Sequence, residues 1–487
     1  MKVFRKVLFT LALAGNITIL SSQNVAVFDE FLYKSESQMK ASENQYLNPI
    51  LPGCYPDPSI CRVGKDYYLV NSSFSYYPGV PIWHSTDLIH WTQLGHVLNR
   101  PSQLLTKNSK MSWGVYAPDI KYNPHNKTFY MITTGTGYGN TTYVKTDDPK
   151  KCNWSDPIAL PSVKGIDPSF FFDEDGKAYI LNNEPPAYEP LYDGHRAIWI
   201  REFDWKNDRV VGEPKVVIDG GLDITKKPSW IEGPHLYKIK GKYYLMAAEG
   251  GTGPNHREVI LTSDSPMGPF IPCAINPILT QMGLPSDRKE PITCAGHADL
   301  VETENGEWFA VFLAVRPYRN GHENTGRETF LLPVKWNDEQ PIILDKGKVV
   351  PYVVDMTPGM KNLSENNKIQ GYDPYAPALL WTSKGLSKEA TFIRTPKEEF
   401  FQIRKDGKLA LKPREIRIEQ FGNPSFIGRR VNSKRFKAQT ALTYIPEGKL
   451  DFAGIVCFQN DYCYVQFGKT VDKQGKVILS LKSYSSR

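Results

Sequence analysis

Three acidic residues stand out because each opens the same kind of segment. Asp57 begins Asp-Pro-Ser-Ile60, Asp167 begins Asp-Pro-Ser-Phe170, and Glu232 begins Glu-Gly-Pro-His-Leu236. Taken singly, each acid also reads as a turn carboxylate beside proline or glycine. Brought together, they could divide the work of proton transfer. A carboxyl kept protonated donates a proton, an ionised one takes a proton from water, and a third adjusts the pKa of the first. Two further segments share the form, Ala117-Pro-Asp-Ile120 and His297-Ala-Asp-Leu300, so a histidine stands at the matching place in the last.

The five segments are parts of a repeat. After each comes a polar turn and then a strand of the type aromatic-aromatic-apolar-apolar: Gly64 to Val70, Asn126 to Ile132, Asp175 to Leu181, Gly241 to Met246 and Asn305 to Val311. The turns carry Gly or Asn-Lys between alternating strands, which is hairpin chemistry. The starts lie 50 to 65 residues apart, near the period of four-stranded propeller blades. Residues 45–350 are therefore predicted to form a five-bladed β-propeller. In such a ring the innermost strands surround a central channel, and equivalent strand starts converge on one mouth. Asp57, Ala117, Asp167, Glu232 and His297 are placed there. Gathering like charges costs energy, so stability does not explain the arrangement.

Residues 351–375 hold Pro351, Pro358, Gly359, Gly371 and Pro374 without clear periodicity and read as a linker. Residues 376–487 return to short strand patterns, such as Lys408 to Lys412, Gly454 to Phe458 and Tyr464 to Phe467, and are predicted to form a β-sandwich. The fold class is all-β.

The composition agrees. The chain has 487 residues, 37 Gly, 37 Pro and 12% aromatics, which suits many short strands and tight turns and excludes a disordered chain. Met1 to Lys6 is basic, Val7 to Leu20 is mostly apolar, and Ser21 and Ser22 are small, so residues 1–22 read as a signal peptide. Its removal takes Lys2, Arg5 and Lys6 and reduces the formal charge from +7 to +4, too slight and scattered for nucleic acid. No later stretch has the roughly 18 apolar residues a membrane span needs. The expected destination is the periplasm or the medium, with no membrane attachment after cleavage. Seven cysteines show no zinc spacing. Cys54 and Cys61, and Cys457 and Cys463, are near enough in sequence to pair, although buried thiols are the expected state for most.

Tyr55-Pro-Asp57-Pro-Ser59, Gly165-Ile-Asp167-Pro-Ser-Phe170 and Trp230-Ile-Glu232-Gly-Pro-His235 resemble the three signature segments of glycoside hydrolase family 43. Ser73 to Leu88 and Gly326-Arg-Glu-Thr-Phe330 resemble its β-xylosidase and α-L-arabinofuranosidase branch. The resemblance runs from about Asn48 to the last residue. It implies an exo-acting, inverting glycosidase on pentose-containing oligosaccharides or polysaccharides of plant cell walls. Asp57 matches the general base, Glu232 the general acid and Asp167 the third carboxylate. Arg327 matches an arginine that contacts sugar hydroxyls, and Phe74 and Trp113 match aromatics lining the sugar site. His297 matches a histidine at the channel mouth that, in some members, helps hold a structural calcium ion; the chemistry itself requires no cofactor. Family members have a longer C-terminal sandwich, so the one here is expected to be incomplete. The competing reading, a non-catalytic carbohydrate-binding propeller, would keep the aromatics without needing three converging acids. Inversion sets the acid and base about 6.5–9.5 Å apart, leaving room for water.

Overall fold

The computed structural model describes residues 25–36, 39–106, 108–285, 287–318, 321–366 and 373–485. The signal-peptide reading of residues 1–22 lies outside them. Five antiparallel sheets are arranged as predicted. Their inner strands are Ser59–Val63, Tyr116–Asn123, Ile166–Phe172, Glu232–Ile239 and Thr293–Glu302, each followed outward by its sequence neighbours. The fifth inner strand packs against the first, which closes the ring. Buried aromatic and aliphatic residues fill the space between blades. Trp83, Trp91, Phe309 and Phe312 belong to the largest of these clusters, and Tyr130, Tyr143, Phe170 and Phe203 to another.

Four inner strands carry a β-bulge just after their start, between Tyr116 and Asp119, Ile166 and Ser169, Glu232 and His235, and Gly296 and Asp299. The bulged residue has a left-handed backbone: Ala117, Asp167, Gly233 and His297, with φ of 22°, 53°, 57° and 53°. Asp57, preceding the first inner strand, matches them at 52°. Non-glycine residues held there cost about 1–3 kcal/mol each and cluster at functional sites. The strain is held by hydrogen bonds at every blade junction. Ile120 N donates to Ser59 Oγ (3.1 Å), Phe170 N to Asp119 Oδ2 (2.8 Å) and Ser169 Oγ to Pro234 O (2.5 Å). Ala298 N donates to Glu258 Oε2 (3.0 Å) and Ile60 N to Asp299 Oδ2 (2.9 Å).

The segment before the first blade is tied to the fifth. Asn48 exchanges two hydrogen bonds of 2.9 Å with Leu331, and Gln45–Leu47 pairs with Val353–Asp355. Residues 351–375, expected as a linker, thus contain a strand. They also contain a helix, Pro358–Asn366, whose Met360 is buried in the propeller core. The linker assignment is corrected for this part. Proline and glycine read as breakers, but here they begin a helix, with Thr357 Oγ1 accepting from Met360 N.

The accessory domain is built from two sheets. Ala453–Asn460, Cys463–Val471 and Val477–Ser485 form one. The other includes Leu409–Leu411 and Phe436–Thr443, and between them runs Ala26–Ser35 from the N-terminal side of the propeller. That strand was not anticipated, because its partners lie some 400 residues away. All seven cysteines are free, so neither suggested pair is bonded. Among the described residues no helix is long and apolar enough to cross a membrane.

Candidate active site

The left-handed residues define the top tier of the channel: Asp57, Ala117, Asp167, Gly233 and His297. Glu232 therefore stands one residue earlier than the repeat predicts. The reason is steric. A Cβ on Gly233 would come within 2.7 Å of His297 Nε2 and 2.9 Å of its Cδ2. Only glycine fits under that ring, so the carboxylate of this blade comes from the preceding residue. Asp57, Asp167 and Glu232 are all buried and act on one another electrostatically, so the structure does bring them together.

Their environments differ. Arg327 Nη1 donates to Asp57 Oδ1 at 2.9 Å, and Ser72 Oγ donates to Oδ2 at 2.5 Å. Ser72 in turn accepts from Ala117 N at 2.7 Å, which aims its proton at Asp57. Burial pushes the Asp57 carboxyl up, but Arg327, His297 and Ser72 outweigh it and hold it below the usual range. Glu232 has no such help. Burial and then the Asp57 charge push it up to about 7, against the weaker opposite pull of Arg327 and Arg196. Among the described residues none hydrogen-bonds its carboxyl, which leaves a proton there free for an incoming acceptor. Asp167 is raised well above its ordinary value by burial, Glu232 and Asp57. Its Oδ2 accepts from Gly233 N at 3.2 Å, so it grips the backbone directly after Glu232.

Phe74 and Arg327 meet, with the guanidinium carbon 5.6 Å from the ring centre. Trp113 lies on the neighbouring loop. Phe74 bridges to Val115, and Ser75 Oγ donates to Trp113 O at 2.6 Å. Trp113 is 56% exposed, a rim residue. His297 Nδ1 stands 3.8 Å from Asp57 Oδ1. Burial first, then His235 and Arg327, lower its pKa to about 4, so it is neutral near pH 7.

Two residues further along each inner strand comes a second tier, which sequence reasoning passed over: Ser59, Asp119, Ser169, His235 and Asp299. Strand alternation was the available signal, since Asp119 and Asp299 follow Ala117 and His297 by two. Asp119, His235 and Asp299 could together hold a metal ion, and His297, the residue expected to bind one, is not in that group. The group already holds a cation. Lys121 Nζ lies 2.8 Å from Asp299 Oδ2 and 3.3 Å from Asp119 Oδ1, and Tyr237 OH donates to Asp299 Oδ1 at 2.7 Å. Calcium prefers about six to eight oxygen ligands, and the ammonium stands where one would have to enter.

The accessory domain braces the rim. Arg394 Nη2 meets Asp461 Oδ1 at 2.6 Å in a buried ion pair, while Asp461 Oδ2 accepts from Met111 N at 2.8 Å. Arg394 Nε also donates to Ser109 O at 2.7 Å. Breaking a buried pair from one side costs about 3–5 kcal/mol. Arg394→Met is therefore expected to lower the melting temperature and to raise KM together, because residues 109–113 carry Trp113. A thermal melt beside a KM measurement checks this, and a lower Tm with unchanged KM would separate the brace from the site.

A closed five-blade ring with three buried carboxyls of opposed acidity at its mouth defines the class, a propeller hydrolase working by acid–base chemistry. The comparisons give the family. Residues 46–341 match the model of glycosyl hydrolases family 43, and residues 381–487 match the β-xylosidase C-terminal concanavalin A-like domain. The chain belongs to glycosyl hydrolase family 43. It is 39% identical over 424 residues to a xylosidase/arabinosidase of Butyrivibrio fibrisolvens, covering 85% of this chain and 78% of that one. It is 37% identical to a non-reducing end α-L-arabinofuranosidase of Bacteroides ovatus, covering 87% and 76%. A solved structure of a member retrieved from a capybara gut metagenome superposes with a TM-score of 0.85 at 42% identity, covering 95% of this chain and 85% of that one.

Proposed function

We propose that the protein removes terminal non-reducing pentosyl units, α-L-arabinofuranosyl or β-D-xylosyl, from plant cell-wall glycans with inversion at the anomeric carbon. Asp57 is the base. Ionised, and held by Arg327 and Ser72, it takes a proton from the attacking water. Glu232 is the acid and delivers its proton to the departing oxygen. Asp167 positions Glu232 through Gly233 N and, by its own carboxyl, keeps that end of the well proton-rich. Phe74 and Arg327 bind the sugar in the well, with Trp113 at its rim. The opposed acidity of Asp57 and Glu232 carries this reading, because a binding module has no use for it.

Assaying 4-nitrophenyl α-L-arabinofuranoside and β-D-xyloside side by side, with NMR of the first-formed anomer, tests it. Turnover of at least one, releasing the inverted anomer, is expected. Inactivity on both, or retention, overturns it. Export rests on residues 1–22 alone, and N-terminal sequencing of the protein from its native host reads the cleavage site.

No calcium ion is assigned to the channel, since Lys121 supplies the positive charge between Asp119 and Asp299. Chelator is expected to leave both Tm and kcat/KM unchanged. A Tm that falls with chelator and returns with calcium would show that the ammonium yields its place.

A further inference from the structure

Beside Glu232 lies a cation that neither the fold nor the three-carboxylate well uses. Arg196 is half-buried, and its Nε donates to Asn183 Oδ1 at 2.8 Å. Its guanidinium lies over Trp230, 4.9 Å from the ring centre. Among the described residues no carboxylate lies within ion-pair distance of it. Glu184, the nearest candidate in sequence, is instead paired with Arg201. Both terminal nitrogens of Arg196 are thus left without a protein acceptor. A half-buried guanidinium without acceptors is costly unless a ligand or water supplies them.

Trp230 is equally unusual. It is 38% exposed and holds a left-handed backbone with φ of 51°. Its N donates to Gly194 O at 2.9 Å, which ties it to the loop that delivers Arg196. Asn183 fastens the same unit from below, donating through Nδ2 to Ile231 O. The residue after Ile231 is Glu232. One rigid cluster therefore carries an exposed indole, an acceptor-free guanidinium and the proton donor. Arg196 is also close enough to Glu232 and Asp167 to feel both charges.

We propose that Arg196 and Trp230 form the binding site for the leaving-group sugar. Arg196 donates from its terminal nitrogens to hydroxyl oxygens of that sugar, and the indole supports its apolar side. The acid is the marker for this direction, because it must reach the oxygen between the cleaved unit and the leaving group. Whatever lies beyond Glu232 on its own strand entry lies beside the leaving group. This deepens the proposed hydrolase function and rests on it.

The test separates the two sites by ligand. Free arabinose or xylose, as a competitive inhibitor, reads the pocket for the cleaved unit. A pentose disaccharide reads both. In Arg196→Gln and, independently, Trp230→Leu, the disaccharide KM is expected to rise roughly tenfold, a size common for a buried polar or aromatic contact, with the monosaccharide Ki unchanged. An unchanged disaccharide KM overturns the proposal, as does a Ki that rises in parallel. A shift of the alkaline limb of the pH profile with KM unchanged also overturns it, since Arg196 would then act only on Glu232. Wild-type turnover of the aryl glycosides, measured in the same series, decides the hydrolase reading separately.

Discussion

Glu232→Ala is expected to lower kcat/KM on a pentose disaccharide by about a thousandfold, within the range general acid catalysis contributes. On a 4-nitrophenyl glycoside the loss should be roughly tenfold, because a good leaving group departs with little protonation. The asymmetry follows from the site. Glu232 has no hydrogen-bond partner among the described residues, and burial and Asp57 raise its pKa to about 7. Its proton is kept for the leaving oxygen. The same variant should lose the alkaline limb of the pH profile. In the wild type, activity requires the protonated acid, so it falls as pH rises through about 7. The base must be ionised, so activity falls again only in acid, below the ordinary aspartate range, as Asp57 takes up its proton. Equal losses on both substrates would remove Glu232 as the acid.

Asp57→Ala should abolish turnover on both substrates alike, by roughly ten-thousandfold or more, the upper range for a positioned base. Leaving-group quality cannot rescue this step, since the missing event is activation of water. The change also strands Arg327, buried against Asp57 at 2.9 Å. Losing one partner of such a pair costs up to about 3–5 kcal/mol. A melt must therefore accompany the assay. Asp57→Asn, which keeps an oxygen for Arg327 but cannot accept a proton from water, is expected to melt closer to wild type and remain inactive. Turnover by a folded Asp57→Asn variant would remove Asp57 as the base.

The carboxylates were legible because the repeat is local. Acid, proline, apolar strand, turn and second strand lie within some 25 residues, and each blade repeats the pattern. What the repeat misplaced is instructive. It aligned Glu232 with Asp57 and Asp167, whereas Gly233 occupies their backbone position. The His297 ring that forces this comes from the next blade, 64 residues on, where pattern reading within a blade does not reach. The accessory domain shows the same division. Its strands after Tyr375 are visible as alternation, but the strand Ala26–Ser35 looks like any exposed N-terminal segment until its partners at Leu409–Leu411 and Phe436–Thr443 are known.

By itself the sequence determined the all-β class, the five-fold ring and the three acids at its mouth, since strand alternation and turn chemistry act over a few residues. Only the tertiary structure decided which acid holds its proton. That depends on what surrounds each carboxyl: an arginine from the fifth blade and a serine for Asp57, no hydrogen-bond donor for Glu232. It alone also placed Lys121 between Asp119 and Asp299 and set Arg196 on Trp230. Charge and burial act through space, and the ring brings together residues that the chain keeps up to 270 positions apart.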